Sequence, residues 1–136
     1  MHKPLSTHIY SMKTLWAGLE IRYDSTVIPP VEPVADLLPH IPRGNYRSIL
    51  DLGTGTGCIA AWLEREYPQA AITATDISES AEYFARQNTK RSLIIRSDWF
   101  SGINCTYDLI VCNPPLGTRA DWEDSPWAWD TVPEIS

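Results

Sequence analysis

An α/β fold built on a parallel, doubly wound sheet is what this sequence predicts, on three observations. Short apolar runs alternate with longer stretches whose apolar residues recur at helical spacing. A glycine-rich turn, Asp51-Leu52-Gly53-Thr54-Gly55-Thr56-Gly57, joins the first such run to the first such helix. The last run, Tyr107-Asp108-Leu109-Ile110-Val111-Cys112, is nearly continuous in apolar character, as expected of a strand covered by helices on both faces.

Before the regular part, Thr14-Leu15-Trp16 and Leu19-Glu20-Ile21-Arg22-Tyr23 flank Ala17-Gly18, which predicts a short hairpin with a two-residue loop. In the segment Val27 to Pro42, five prolines (Pro29, Pro30, Pro33, Pro39, Pro42) exclude a long helix and leave at most one short turn through Val34 to Leu38. Its plain reading is a connecting loop.

Ser48 to Asp51 then reads as a strand, and Cys58 to Glu66, with Ile59, Ala60, Trp62 and Leu63 at helical spacing, as a helix. Ala71 to Thr75 is a second strand ending at Asp76. Ser78 begins a helix running through Tyr83 and Phe84 to Asn88 or Thr89, since a serine hydroxyl caps exposed helix amides. Leu93 to Arg96 is a third strand and Tyr107 to Cys112 a fourth. After Leu116 periodicity stops, in a tail carrying Trp122, Trp127 and Trp129 among acids and prolines. The expected organisation is a hairpin and Pro-rich segment over 1–42, a core over 43–116 and a Trp-rich tail over 117–136.

With 136 residues, 43% of them hydrophobic, the chain has enough apolar material for one core. No run approaches the roughly 18 apolar residues of a membrane span, and Met1 to Tyr10 lacks the apolar stretch of a secretion signal, so a cytoplasmic location is expected. Cys58, Cys105 and Cys112 show no C-x-x-C spacing; Cys58 and Cys112 sit in apolar segments and read as buried free thiols. His2, His8 and His40 are scattered, and no metal site is expected. A net charge of −6 without a basic cluster weighs against a nucleic-acid partner.

The glycine turn carries the first chemistry. Gly53, Gly55 and Gly57 let backbone approach a ligand closely, and the turn opens a helix whose amino end favours negative charge. A dinucleotide site usually reads G-x-G-x-x-G, whereas here the third glycine comes one residue early and Asp51 stands before the loop. A carboxylate there would repel a pyrophosphate but suit the ammonium group of S-adenosylmethionine (SAM). Thr54 belongs to the same loop. Asp76, ending the second strand, is placed to accept both hydroxyl hydrogens of a ribose. Asp98, after the third strand, is placed to accept from the exocyclic amine of adenine, with Ile77 and Trp99 offering apolar surface to the base. Alternatively Asp76 merely caps the following helix and Asp98 is a loop acid.

The second chemistry lies at Asn113-Pro114-Pro115, directly after the fourth strand. An amide or aromatic-amine nitrogen is a weak nucleophile because its lone pair is delocalised. Asn113 Oδ1 and the Pro114 carbonyl are two acceptors able to take both N–H hydrogens and leave the lone pair aimed at a methyl carbon, while proline stiffens the turn and supplies no competing donor. The alternative is an ordinary Asn-Pro turn.

Over Ile49 to Pro115 these motifs resemble the HemK/PrmC family, SAM-dependent enzymes that methylate the side-chain amide of the Gly-Gly-Gln glutamine in peptide chain release factors. Ile49 to Gly57 is similar to the family's first motif, Asp76-Ile77-Ser78 to its second-strand terminus, and Ser97-Asp98-Trp99-Phe100-Ser101 to its adenine-side loop. Tyr107 to Pro115 is similar to its strand and Asn-Pro-Pro segment. Val27-Ile28-Pro29-Pro30-Val31-Glu32-Pro33 resembles the segment that closes over the cofactor, and the hairpin at Thr14 to Tyr23 sits where the family carries one.

The resemblance implies a Rossmann-like class I methyltransferase sheet, shortened, with strands 1 to 4 visible and strands 5 to 7 without counterpart. It departs from the family at Leu116, where an aromatic is usual, at Pro30, where an arginine is usual, and in lacking the separate N-terminal helical domain. The fourth strand is then expected to present an apolar edge, covered by the Trp-rich tail, a second copy in a homodimer, or another partner. The function expected is N-methyl transfer to a protein glutamine or a small-molecule acceptor. The alternatives are a degenerate SAM-binding module or half of a split enzyme, and a methyltransferase acting on adenine or guanine amines of nucleic acid.

Overall fold

The computed structural model describes residues 11–114. The Trp-rich tail, Pro115, Leu116, His2 and His8 lie outside them.

The chain opens with the expected hairpin, β1 (Met12–Trp16) antiparallel to β2 (Leu19–Tyr23). Ala17 and Gly18 both have left-handed backbone, φ 51° and 78°, which is the combination that lets a two-residue loop follow the twist of its strands. Trp16 and Ile21 are fully buried in the same apolar cluster as Ile49, Leu63 and Ile72, so the hairpin is part of the core. Two further ties hold it: Trp16 Nε1 donates to the Val31 carbonyl at 2.9 Å, and Arg65 donates to the Ala17 carbonyl at 2.6 Å.

The proline-rich segment corrects the sequence reading. It forms α1 (Glu32–Leu37) and a 3-10 turn, Leu38–His40, rather than a loop with one turn from Val34. Pro33 sits in the first turn of α1, where no helix bond needs its missing N–H.

The central sheet contains β3 (Ser48–Leu52), β4 (Ala71–Asp76), β5 (Leu93–Arg96) and β6 (Leu109–Cys112), all parallel, in the order β5-β4-β3-β6. Between them run α2 (Cys58–Glu66) and α3 (Glu79–Asn88), whose N-cap is Ser78, its hydroxyl accepting from the Ala81 amide. Every residue of β3 from Ile49 to Leu52 is buried, because β3 is flanked by strands on both sides. Five consecutive residues of α2, Ile59 to Leu63, are buried too, which its sequence pattern alone does not require. The hairpin explains it by placing Trp16 and Ile21 in the core cluster that also holds these residues.

The return from α3 to β5 is fastened by one carboxylate. Glu64 accepts from the amides of Lys90, Arg91 and Ser92 at 2.9, 2.7 and 2.7 Å and from the Ser92 hydroxyl at 2.8 Å. Burial pushes the Glu64 carboxyl up, but these donors outweigh it and hold it below its ordinary value.

β6 departs from expectation. Leu109 and Val111 are half-buried while Ile110 is 48% exposed, so among the described residues only one face of the strand is covered. No described strand pairs with its outer edge. Cys112 is consequently exposed, not the buried thiol expected, and Cys105 is exposed as well. Cys58 is half-buried, and burial pushes its thiol up to about 12.

The indole of Trp16 joins the hairpin to the Pro-rich segment. Trp16→Phe retains an aromatic ring in the core but removes the bond to Val31 and leaves a small void, and is expected to cost about 1–3 kcal/mol in urea denaturation.

Candidate functional site

A cleft of about 1080 Å³, counted to its open mouth, lies at the carboxyl ends of the parallel strands. That is where the loops of an open parallel sheet leave room for a ligand. One wall is the β3–α2 turn, with Gly53, Thr54, Gly55 and Thr56, together with Asp76, Ile77 and Ser78 after β4. Ser97, Asp98 and Trp99 follow β5, and Asn113 follows β6. Thr26 to Val31, which follow β2, and Val34 make a second wall. Residues scattered from 26 to 113 thus meet at one opening.

The turn itself is heavily tied. Thr54 N donates to the Thr75 carbonyl at 2.8 Å, Gly55 N to Asp76 Oδ2 at 2.9 Å, and Gly57 N to the Thr54 carbonyl at 2.9 Å. Gly55 has φ 56°, and a Cβ built on it meets nothing within 4 Å; the same holds for Gly53. The space above both is open to a ligand. Gly57 differs: its φ is 82°, and a Cβ there would stand 2.8 Å from the Ala85 Cα of α3. Gly57 is also absent from the cleft wall, so its work is to let α2 and α3 approach.

Asp51 is likewise not where the sequence suggested. It is fully buried beneath the turn and does not line the cleft; its Oδ2 accepts from the Thr54 hydroxyl at 2.6 Å, and its Oδ1 has no hydrogen-bond partner among the described residues. What the structure shows for Asp51 is support of Thr54, which does line the cleft. Burial raises the Asp51 carboxyl to about 7, opposed by the Thr54 hydroxyl and reinforced by the negative charge of Asp76.

Asp76 combines the two roles the sequence set against each other. Its Oδ1 accepts from the Ser78 amide at 3.0 Å and its Oδ2 from Gly55, so it orders the start of α3 and the glycine turn together while lining the cleft. Burial raises its carboxyl, with the Ser78, Gly55 and Ile77 amides opposing. Each oxygen retains a further lone pair for a ligand hydroxyl.

Asp98 is exposed and Trp99 half-buried, both at the cleft. Trp99 has φ 51°, a left-handed conformation costly for a bulky residue. Ser97 holds it: its buried hydroxyl donates to the Trp99 carbonyl at 2.9 Å and accepts from the Gly102 amide at 2.8 Å. Asn113 is exposed at the mouth, with Pro114 half-buried beside it; Pro115 lies outside the described residues.

The sequence reading missed Thr56 and Ser97 as parts of the site. A serine directly before Asp98, with Gly102 shortly after, was the available signal for a side chain bridging a tight loop. Thr26 was missed too; its amide is held by Asp24 Oδ1 at 2.8 Å in an Asx turn that a D-x-T pattern announces.

Comparison with known proteins gives concordant results. The family described as methyltransferase small domain matches residues 34–128. A protein of Xylella fastidiosa named ribosomal protein uL3 glutamine methyltransferase is 35% identical over 131 residues, covering 88% of this chain and 42% of its own length. A Streptococcus pneumoniae protein named release factor glutamine methyltransferase is 35% identical over 127 residues, covering 88% of this chain and 45% of its own. This chain therefore spans less than half the length of these relatives. Among solved structures, a methyltransferase from Pyrococcus furiosus superimposes with a TM-score of 0.60 at 26% identity, covering 72% of this chain and 53% of that one.

Gly55→Ala and Gly57→Ala share the penalty of left-handed backbone, about 1 kcal/mol, but only Gly57→Ala adds a clash, so thermal unfolding is expected to show a loss of about 3 kcal/mol or more there against roughly 1 at Gly55. Asp51 binds its proton more tightly folded than unfolded, so stability falls as pH rises from about 4 to about 7, by up to about 4 kcal/mol in total. Asp51→Asn is expected to flatten that dependence in the ligand-free protein, as read by denaturation across this window.

Proposed function

The chain belongs to the methyltransferase small domain family, and on that premise we propose that it binds SAM in the cleft and transfers a methyl group to the side-chain amide nitrogen of a protein glutamine. The observation that carries this reading is the convergence of Gly53 and Gly55, Asp76, Asp98 and Asn113 on one opening. The names of the two relatives, each a glutamine methyltransferase acting on a protein, favour a protein acceptor over a small molecule. The net charge of −6 argues against nucleic acid, whose affinity rests on phosphate contacts.

The residues present suit this cofactor. Gly53 and Gly55 leave room where side chains would obstruct, and Thr54, fixed by its bonds to Thr75, Gly57 and Asp51, lines the cleft between them. Asp76 would accept the ribose hydroxyl hydrogens on its free lone pairs, and Asp98 would accept from the adenine amine. Ile77 and Trp99 offer their apolar surfaces to the base, Trp99 being held in place by Ser97. When bound, SAM supplies an electrophilic methyl group on a sulfonium.

Asn113 and Pro114 act on the acceptor. The Asn113 Oδ1 and Pro114 carbonyl take the two N–H hydrogens of the glutamine amide, which fixes the nitrogen and turns its lone pair toward the methyl carbon. Orientation of this kind can supply several kcal/mol of barrier lowering. No general base is required, because the nitrogen sheds a proton readily once it becomes positive. Val27 to Val31 line the same cleft.

Calorimetric titration with S-adenosylhomocysteine tests the cofactor site. Micromolar binding, about −8 kcal/mol, is expected for the unmodified protein and is expected to fall at least about 100-fold in Asp76→Ala. Asn113→Ala should retain that binding yet lose methyl transfer to a Gly-Gly-Gln peptide by about 100-fold or more. Unchanged turnover in Asn113→Ala would sink the catalytic assignment. Binding without any transfer in the unmodified protein would favour a cofactor-binding module.

A further inference from the structure

Asn88, the last residue of α3, makes three hydrogen bonds that no feature of the cofactor site accounts for. Its Oδ1 accepts from the Arg22 amide at 2.8 Å, and its Nδ2 donates to the Arg22 carbonyl and to the Thr56 carbonyl, both at 2.8 Å. Both donors and the acceptor of one amide are thereby engaged with backbone from two distant parts of the chain. Thr56 belongs to the glycine turn and is 2% exposed. Arg22 lies on β2, from which the chain passes through the Asp24 turn directly into Thr26 to Val31.

We propose that Asn88 is a positioning residue that sets the spacing of the two cleft walls, and so the affinity for a nucleoside ligand such as the SAM assigned above. It stands outside the cleft wall. Acting through Thr56, it holds the glycine turn from behind; acting through Arg22, it holds the strand that launches the second wall. The other ties of the hairpin differ in kind. Arg65 reaches only the loop carbonyl of Ala17 at the far end of the hairpin, and Trp16 only Val31. Neither touches the glycine turn. An amide is the side chain this position needs: a carboxylate in its place would face two carbonyl oxygens with no proton to offer them, and a hydroxyl has a single donor.

The inference rests on the cofactor reading, and its test separates the two. S-adenosylhomocysteine affinity and amide hydrogen exchange over 53–60 in the ligand-free protein are measured for the unmodified chain, Asn88→Ala, the smaller perturbation Asn88→Ser, and Arg65→Met as a hairpin control, all well below their melting temperatures. The expected result is a Kd raised about tenfold in both Asn88 variants, with faster exchange across the turn, while Arg65→Met stays within about twofold in Kd and exchanges normally. Equal effects in Arg65→Met and Asn88→Ala would reduce Asn88 to hairpin attachment and overturn the proposal, as would unmodified Kd and exchange in both Asn88 variants. Failure of the unmodified chain to bind would defeat the cofactor reading alone, and the exchange comparison would then decide the role of Asn88.

Discussion

The left-handed turn between β3 and α2 is the constraint on which the rest of this structure depends. Gly53, Gly55 and Gly57 all carry positive φ, which lets the chain leave the central strand and enter a helix within a few residues. Their side-chain vacancies are then used differently. Two open toward the cleft and one toward Ala85 of α3, so a single turn both creates the ligand space and sets the helix packing behind it. Without the close approach at Gly57, α3 could not stand where Asn88 reaches the turn.

Polar groups hold this turn from every side. Asp51 supports Thr54 from below, Asp76 holds Gly55 from the neighbouring strand, and Asn88 holds Thr56 from the end of α3. A buried carboxyl is an expensive support, and burial raises its pKa to about 7. The arrangement is consistent with a site whose electrostatics favour a cationic ligand nearby, since a positive charge would stabilise Asp51 and Asp76 in their ionised forms together. The second wall, Thr26 to Val31, is held by Val27 buried against Ala81 and Phe84 of α3, by the Trp16 bond to Val31, and through the β2 strand that leads into it.

Much of this was legible in the linear chain. The bounds of α2 were read directly, because Ile59, Ala60, Trp62 and Leu63 repeat at helical spacing after a glycine that cannot continue a strand. The hairpin was legible for a similar reason, Ala17-Gly18 being a loop that tolerates left-handed backbone. That Asp76, Asp98 and Asn113 line one cleft is legible because each stands at or just after the carboxyl end of a strand, and strand ends in a parallel sheet share one edge. Reading failed where partners are far apart. Asp51 reads as a ligand residue because it precedes the turn, but burial in the central strand places it beneath the cleft, where it supports Thr54. Cys112 was assigned to the interior because its strand is apolar, but an edge strand covered on one face exposes alternate residues.

The sequence by itself determined the parallel α/β architecture, the glycine turn, the carboxylates at strand ends and the Asn-Pro pair, since each follows from local periodicity, backbone preference or short-range spacing. Only the tertiary structure decided that Gly57 serves helix packing, that Asp51 lies beneath the cleft, and that Asn88 bonds both β2 and the turn. The physical reason is that burial and hydrogen-bond partnership belong to pairs of residues. Arg22, Thr56 and Asn88 carry no signal in their own neighbourhoods, and their common role exists only once the hairpin, the turn and α3 are packed together.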